Sequence, residues 1–500
     1  MKAILVPLDN RPVTYLLPRL VANIAGVHAT LPPRHLMGSL QRPSNVNALG
    51  DWLDSALKDE KPDALLVCLD SLLYGGLIQS RRTEDAVADV QKRCDVLMRW
   101  KKQNPSLKSV LAQSSIMRIS DNYDNTEEKE YWNRFGREIF GWSELLHKVQ
   151  RGDSVAAAAL NVAESRVPPA IRDDYMKTRM RNFQINRQLV SAVKAGALDF
   201  LALSQDDSGE FGLNVVERDK LVAQAQSEGV TPKVMAYAGA DEVLLTLFCR
   251  WLVSQSNNER PAARVSFSPS MGETIPSRYE GQTIGESIRN QLRAANIEVV
   301  ESEQGCDFTV VVHTSGDRQG DHILLNGQSD LRDLNTRKSV EETMKLLREC
   351  NKPFVLLDVA YSNGSDPILV DALFEEPDLL DKMWGYAGWN TSGNTFGSGL
   401  AIGVARWFAT RKNVSPAQAD RALKQCLFVR FADDWAYQTQ IRKQLSGPVQ
   451  PNDLAPLMTP LFGTIGKALK YQPEFVKLGL PWQRTFEVEI DVEQPVGIAT

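Results

Sequence analysis

The sequence predicts an α/β protein, a parallel sheet with packed helices, and three observations lead to that fold class. Short apolar runs recur along the chain, for example over residues 3–9, 63–70 and 233–242. Stretches with helical periodicity, such as residues 87–104 and 179–197, lie between such runs. The runs are continuously apolar rather than alternating, which is typical of strands that are covered on both faces.

Two architectures fit the order of these elements. The six early strands are predicted at residues 3–9, 28–33, 63–70, 109–117, 198–207 and 233–242. Joined by two later strands they would make a (β/α)8-barrel-like core with an additional α/β region, which we favour; the alternative is two doubly wound domains.

A polar stretch with a proline, residues 254–263, marks a boundary in the chain. We therefore expect a barrel-like or Rossmann-like domain over residues 1–254 that carries most of the acidic residues discussed below. A second α/β segment over residues 255–410 would contribute Asp358 and the loop GYAGWN. Residues 411–500 are expected to be mostly helical, with a final strand at 484–492.

Composition and charge exclude several classes of protein. Of 500 residues, 43% are hydrophobic and 24% are charged, and the net charge of −5 comes from mixed signs without a basic face, so no nucleic-acid partner is expected. No apolar run approaches the roughly 18 residues of a membrane span, and no secretory signal opens the chain. We expect a cytoplasmic protein without a membrane partner, in which Cys68 and Cys249 are buried, reduced thiols. Whether it forms a homo-oligomer is left open.

Polar residues recur where the predicted strands end, which is where functional residues gather in both architectures. Asp241 and Glu242 are adjacent, and an ordinary helix cap explains only one acid of such a pair. The candidate site residues are Asp9, Arg11, Asp70, Tyr74, Arg118, Asp206, Asp207, Tyr237, Asp241, Glu242, Asp358, Trp389 and Asn390.

The motifs of several common enzyme classes do not occur. The five histidines form neither HxH nor HExxH, and no GxGxxG, Walker-type or GxSxG motif is present. The glycine-rich stretch at 393–399 is more typical of close helix packing than of a phosphate site. We therefore expect no cofactor and no bound metal. The alternative is a hydrolase or lyase that uses Asp9, Asp70, Asp207 and Asp358 around Mg²⁺ or Mn²⁺.

Acids accompanied by Trp, Tyr, Asn and Arg suit a small-molecule carbohydrate, because carboxylates and amides bind hydroxyl groups and aromatic rings cover the apolar face of a sugar. Glycoside hydrolysis also needs two carboxyl groups in different protonation states. We expect Glu242 to be the general acid of a glycosidase. Asp241 would orient the acetamide of an amino sugar or act as a nucleophile, with the remaining candidates binding the sugar. A non-enzymatic sugar or metabolite-binding protein is the third hypothesis.

Several segments together resemble one bacterial family, the domain of unknown function DUF4127. The segments, spread over residues 1–410, are VPLDNRPVTY, DSLLYGGLIQSR, LSQDDSGEFG, YAGADE and GYAGWNTSGNTFG. The resemblance implies homology over nearly the whole chain and brings no established activity. The Asp241-Glu242 pair is in addition similar to that of substrate-assisted hexosaminidases, in which one acid orients the acetamide and its neighbour protonates the leaving oxygen.

Overall fold

The computed structural model describes residues 1–206, 208–257, 259–323 and 334–492. The chain forms two compact units, and each unit is built from more than one stretch of sequence. Unit 1 comprises Met1–Asn10, Ala29–Leu247 and Tyr279–Gly281; unit 2 comprises Arg11–His28, Phe248–Arg278 and Gln282–Thr500. The region predicted as separate at 411–500 therefore belongs to unit 2.

The described residues contain fifteen strands: β1 (Lys2–Val6), β2 (His28–Thr30), β3 (Ala64–Cys68), β4 (Ser109–Ile116), β5 (Phe200–Gln205), β6 (Val234–Ala238), β7 (Ala262–Ser268), β8 (Glu298–Val299), β9 (Phe308–His313), β10 (Gly320–Asp321), β11 (Phe354–Asp358), β12 (Tyr361–Ser362), β13 (Met383–Ala387), β14 (Lys477–Gly479) and β15 (Glu489–Asp491).

The helices of the same residues are α1 (Pro12–Ile24), α2 (Val46–Glu60), α3 (Leu69–Leu73), α4 (Leu77–Arg82), α5 (Val87–Leu97), α6 (Trp100–Gln103), α7 (Trp132–Gln150), α8 (Ser154–Arg166), α9 (Pro169–Lys194), α10 (Leu213–Ser227), α11 (Val243–Ser254), α12 (Ile284–Ala295), α13 (Arg337–Glu349), α14 (Pro367–Phe374), α15 (Pro377–Leu380), α16 (Ser392–Arg411), α17 (Pro416–Arg430) and α18 (Pro451–Leu469). A π-helical segment, Phe431–Ile441, directly follows α17.

Unit 1 is built on a sheet with the strand order β2-β1-β3-β4-β5-β6. Strands β1, β3, β4, β5 and β6 are parallel to their neighbours. All five residues of β3 and all six of β5 are buried, in keeping with helices on both faces of a parallel sheet. The six early strands predicted from the sequence are all present in this sheet.

Unit 2 is built on a second parallel sheet, with the order β13-β11-β9-β7-β8. Counted within each unit, the first five strands of both sheets follow the doubly wound order 2-1-3-4-5. The predicted α/β class is thus confirmed. The favoured barrel is not confirmed, because the late strands pair with one another in a sheet of their own, as in the alternative of two doubly wound domains.

Glycines let α16 lie close against the sheet of unit 2. A Cβ atom on Gly403 would lie 2.4 Å from Cγ2 of Val355 on β11, and one on Gly399 would lie 2.3 Å from Cδ2 of Leu357. Both glycines are inside α16, where alanine would favour the helix more, so close packing explains why glycine occurs here. The interpretation of the glycine-rich stretch as a packing surface agrees with these distances.

Two local features of the structure differ from what the sequence indicates. The charged residues before α7 form a loop, and the helix begins only at Trp132. The Arg82 guanidinium donates to the carbonyl oxygens of Asn125, Thr126 and Glu128, which holds the preceding residues as a loop. The segment GYAGWN is predicted to be a loop, but its first three residues belong to strand β13, which pairs with β11.

No helix in the described part of the chain combines the length and the apolar character that a membrane crossing requires.

Two glycine substitutions test the packing of α16. Gly403→Ala places a methyl group against Val355, so we expect it to lower the free energy of unfolding by about 1–3 kcal/mol. Gly463→Ala is the matched control, because Gly463 lies inside α18 with no atom within 4 Å of the added Cβ. It should stabilise the protein by up to about 1 kcal/mol. Urea unfolding of both variants measures the difference, and equal effects would contradict the packing account.

Candidate functional site

The sheet of unit 1 has a topological switch point between β1 and β3. From β1 the chain continues to β2 on one side and to β3 on the other, and ligands of doubly wound proteins bind beyond the carboxyl ends of strands at such a point. Asp9 follows β1, and Asp70 follows β3. Both predicted acids therefore lie at the place that the topology favours for a ligand.

Hydrogen bonds tie the two segments at the switch point together. The Ser71 hydroxyl lies 2.6 Å from the carbonyl oxygen of Pro7 and 2.7 Å from that of Leu8. Ser44 donates its own hydroxyl to the carbonyl oxygen of Ser71 at 2.9 Å. Because these contacts join the segments that carry Asp9 and Asp70, they limit the relative movement of the two acids.

Asp70 is completely buried and is hydrogen-bonded from β4. Its carboxylate accepts the backbone N–H of Ser115 at 3.2 Å and the Gln113 side-chain amide at 3.2 Å. The same Gln113 nitrogen lies 2.9 Å from the hydroxyl oxygens of both Ser115 and Ser204. Burial raises the pKa of Asp70 above its ordinary value, and the hydrogen bonds from Ser115 and Gln113 offset part of that effect.

The turn after β6 places the Glu242 carboxylate beside the backbone of Gly239 and Ala240. Gly239 has a φ of +149°, and its N–H donates to the carbonyl oxygen of Gln205 on β5 at 3.0 Å. The Glu242 carboxylate accepts the N–H of Ala240 at 3.0 Å, and a Cβ on Gly239 would lie 1.9 Å from Glu242 Oε1. Glycine is required here for its conformation and for the space that the Glu242 side chain occupies.

The charges of four carboxyl groups in unit 1 raise the pKa of one thiol. Burial is the main cause of the raised pKa of Cys68 at the end of β3, and the charges of Asp70, Asp9, Asp241 and Glu242 raise it further. All four acids are at most 5% exposed. Acids that follow three strands of the same sheet therefore all influence this thiol. We call Asp9, Asp70, Asp241 and Glu242 the carboxyl cluster.

Arg118 and Asp206 belong to an ionic network. Arg118 lies 3.1 Å from Asp206 and 2.7 Å from Glu128, and the fully buried Arg81 lies 2.6 Å from Asp206 and 3.4 Å from Glu128. Glu127 adds a third carboxylate, 3.2 Å from Arg118. The ion pairs of Arg118 and Asp206 thus connect the loops that follow β4 and β5.

Three partners in these networks are not among the residues predicted from the sequence: Arg81, Glu128 and Gln113. Arg81 and Glu128 look like ordinary surface residues of helical segments. A usable signal existed for Gln113, because the polar run Gln-Ser-Ser interrupts a strand that should be continuously apolar.

The remaining candidates of unit 1 are two tyrosines and one aspartate. Tyr74 is buried, with the Arg181 guanidinium 5.1 Å from its ring centre. Tyr237 lies buried on β6, opposite Ser204 of β5. Asp207 lies outside the described residues.

Arg11, Asp358, Trp389 and Asn390 belong to unit 2. Arg11 precedes α1, and its guanidinium lies 4.8 Å from the ring centre of Trp482. Trp389 is 2% exposed and contacts Phe486 edge-on at 6.0 Å. Asn390 has a φ of +64°, and its carbonyl oxygen accepts the N–H of Asn363.

Asp358 ends β11 inside a buried hydrogen-bond network of unit 2. Its carboxylate accepts the N–H of Asp366 at 2.6 Å, and Asp366 lies 3.1 Å from Nε2 of His313. His313 Nδ1 lies 2.8 Å from the Thr343 hydroxyl. Burial, together with the nearby Asp366, raises the pKa of Asp358 to about 7, while His313 counteracts the shift.

Two further observations concern ligand binding. Within the described residues, no three or more His, Cys, Asp or Glu side chains are arranged to hold a metal ion. A cavity of about 720 Å³ lies beside the loop held by Arg82, lined by Gln41, Arg82, Asn125, Tyr131 and Asp174 among others.

Asp70→Asn tests the burial of this carboxyl group. The pKa of Asp70 in the folded protein lies above the ordinary value of 3.8. As the pH rises, Asp70 therefore loses its proton in the unfolded chain before it does so in the folded protein. As the pH rises from the ordinary pKa to the raised pKa, the free energy of unfolding of the wild type should therefore fall relative to that of the variant. We expect the difference in Tm, variant minus wild type, to be more positive at pH 7 than at pH 3.5. A difference that is constant or more negative at pH 7 would contradict the raised pKa.

Comparison with protein families gives one assignment. The model of the family "Protein of unknown function (DUF4127)" matches residues 3–491, nearly the whole chain, and the chain belongs to this family. No match was found among the curated proteins or among the solved structures.

Proposed function

We propose that this member of the DUF4127 family is a glycoside hydrolase that acts on a small amino sugar or oligosaccharide, with Asp241 and Glu242 as the reacting pair. The observation that carries the proposal is the carboxyl cluster: four buried acids follow three strands of one sheet, and their charges all contribute to the raised pKa of Cys68. The carboxyl edge of a doubly wound sheet is where ligands bind; Asp9 and Asp70 lie at its switch point, and Asp241 and Glu242 follow the edge strand β6.

The chemistry requires two carboxyl groups with different tasks. Cleavage of a glycosidic bond needs one protonated acid for the leaving oxygen and one ionised group for the developing positive charge. Enzymes keep an acid protonated by removing it from water and placing it near other acids. Glu242 is completely buried within the carboxyl cluster, so we assign it the role of general acid. Asp241 takes the second role, by orienting an acetamide or by attacking directly.

The other acids of unit 1 support this pair. Asp9 and Asp70 flank the switch point and are proposed to bind sugar hydroxyls. Arg118 and Asp206 pair with each other and with Arg81 and Glu128, so their proposed contribution is to hold the loops at the edge of the sheet in place.

One observation favours a second candidate, a sugar-binding protein without turnover. The Glu242 carboxylate already accepts the N–H of Ala240 and fills the space above Gly239, so it has a role in the turn that needs no chemistry. In that case Glu242 shapes the site, and a sugar would bind without being cleaved.

Turnover by Glu242→Gln distinguishes these candidates. With N-acetylhexosaminides as substrates, we expect the variant to lose about 10²–10⁴ in kcat, because an amide cannot donate the proton. The loss should be smaller for a nitrophenyl glycoside than for a disaccharide, since nitrophenolate leaves without much protonation. Asp241→Asn should lower kcat for both substrates alike.

The control is Glu228→Gln, which makes the same chemical change after the last turn of α10, away from the carboxyl edge. It should leave kcat unchanged. Equal turnover by wild type and Glu242→Gln removes the general-acid assignment. Binding of a sugar by the wild type without cleavage of any glycoside favours the binding protein instead.

A further inference from the structure

The first turn of α10 contains a buried side chain whose polar atoms form no hydrogen bond with a described residue. Asn214 is 2% exposed, and neither its Oδ1 nor its Nδ2 forms a hydrogen bond with any described residue. Leaving a buried amide without partners costs free energy, and the large majority of buried polar side-chain atoms in folded proteins are paired. Asn214 therefore needs an explanation that packing does not provide.

Two neighbouring donors at this helix start are satisfied. The N–H of Gly212 donates to Nδ1 of His147 at 3.1 Å, and the N–H of Leu213 donates to the Ser143 hydroxyl at 2.8 Å. Both partners lie on α7, so the start of α10 is anchored independently of the Asn214 side chain. The carboxamide remains as the hydrogen-bonding group that the anchoring does not use.

Asn214 is also joined to the turn that carries the acid pair. Its carbonyl oxygen accepts the side-chain amide of Gln205 at 3.3 Å, and the carbonyl oxygen of Gln205 accepts the N–H of Gly239 at 3.0 Å. On the other side, Ser120 follows the neighbouring strand β4; it is 4% exposed, and its hydroxyl likewise has no hydrogen bond to a described residue. Unpaired polar atoms thus occur in the segments after β4 and β5, at the carboxyl edge of the sheet.

We propose that Asn214 is a substrate-recognition residue whose carboxamide binds the acetamido group of an N-acetylated amino sugar. A carboxamide presents a donor and an acceptor side by side, and an acetamido group presents the complementary pair. A site built around a polar group discriminates strongly against a ligand that lacks the matching group, because its own polar atoms are then left unpaired. The inference rests on the proposed function for its substrate class and adds the residue that selects the substrate.

Asn186 offers a matched comparison within the same unit. It is also 2% exposed, but both polar atoms of its amide are bonded: Oδ1 accepts the Ser114 hydroxyl at 2.7 Å, and Nδ2 donates to the carbonyl oxygen of Ser115 at 3.1 Å. Replacement of Asn186 by leucine removes hydrogen bonds within the fold, whereas the same replacement of Asn214 removes none to a described residue. The two variants therefore separate a ligand-binding role from a structural one.

Calorimetric titration of the full chain with N-acetylglucosamine and with glucose tests the proposal. The wild type should bind N-acetylglucosamine more tightly than glucose. Asn214→Leu should weaken the binding of N-acetylglucosamine about tenfold or more, leave the Kd for glucose unchanged, and keep the Tm at or above that of the wild type. Asn186→Leu should lower the Tm by roughly 5 °C and keep the preference for N-acetylglucosamine. If Asn214→Leu does not fold, Asn214→Ala serves in its place.

The proposal is overturned if Asn214→Leu retains the preference, or if it weakens both sugars equally. It is also overturned if the wild type binds both sugars alike, while cleavage of other glycosides would then still support the proposed function. No binding of either sugar, together with no cleavage of any glycoside, would remove both. A lowered Tm of Asn214→Leu with unchanged sugar binding would assign Asn214 a structural role, with its amide paired to an internal water.

Discussion

The burial of four carboxyl groups that follow strands of one sheet is the constraint on which the rest of unit 1 depends. Charges of the same sign in a low-dielectric environment oppose each other, so each group needs hydrogen bonds, a proton or a nearby cation. The polar residues in the middle of β4 and the turn at Gly239 follow from this requirement, because they provide donors to Asp70 and Glu242. The same environment is the one in which enzymes hold one acid protonated beside another that is ionised.

Both units share the doubly wound strand order, yet their strand ends are used differently. In unit 2 the corresponding edge holds His313, Asp358 and Asp366, which bond to one another and to Thr343. That network is closed and fully buried, and Asp366 also caps α14 through the N–H of Ile368. Buried polar atoms without a partner among the described residues do not separate the units: they occur at Asn214 and Ser120 in unit 1 and at Thr314 and Asn394 in unit 2. We place the ligand-binding role in unit 1 because the carboxyl cluster belongs to that unit.

The fold class and the grouping of the acids could be predicted because both follow from local patterns. Apolar runs identify the strands, and parallel strands bring their carboxyl ends to one edge, so Asp9, Asp70 and Asp241 were expected to meet. The number of sheets could not be predicted, because apolar runs do not specify which strands pair. Long-range ion pairs could not be predicted either. Arg81 and Asp206 are 125 residues apart, and nothing in the sequence around either residue indicates that they pair. Strand β13 could not be predicted, because its conformation depends on pairing with β11 and the sequence does not specify that pairing.

A crystal structure of the protein soaked with N-acetylglucosamine tests the central claim most directly, because it locates the ligand without assuming a reaction. The account predicts electron density for the sugar at the carboxyl edge of the unit 1 sheet, with its hydroxyl or acetamido groups within about 3 Å of the Asp241 or Glu242 carboxylate. Sugar density found instead only in the cavity beside Arg82 and Tyr131, or only in unit 2, would contradict the assignment of the carboxyl cluster as the functional site.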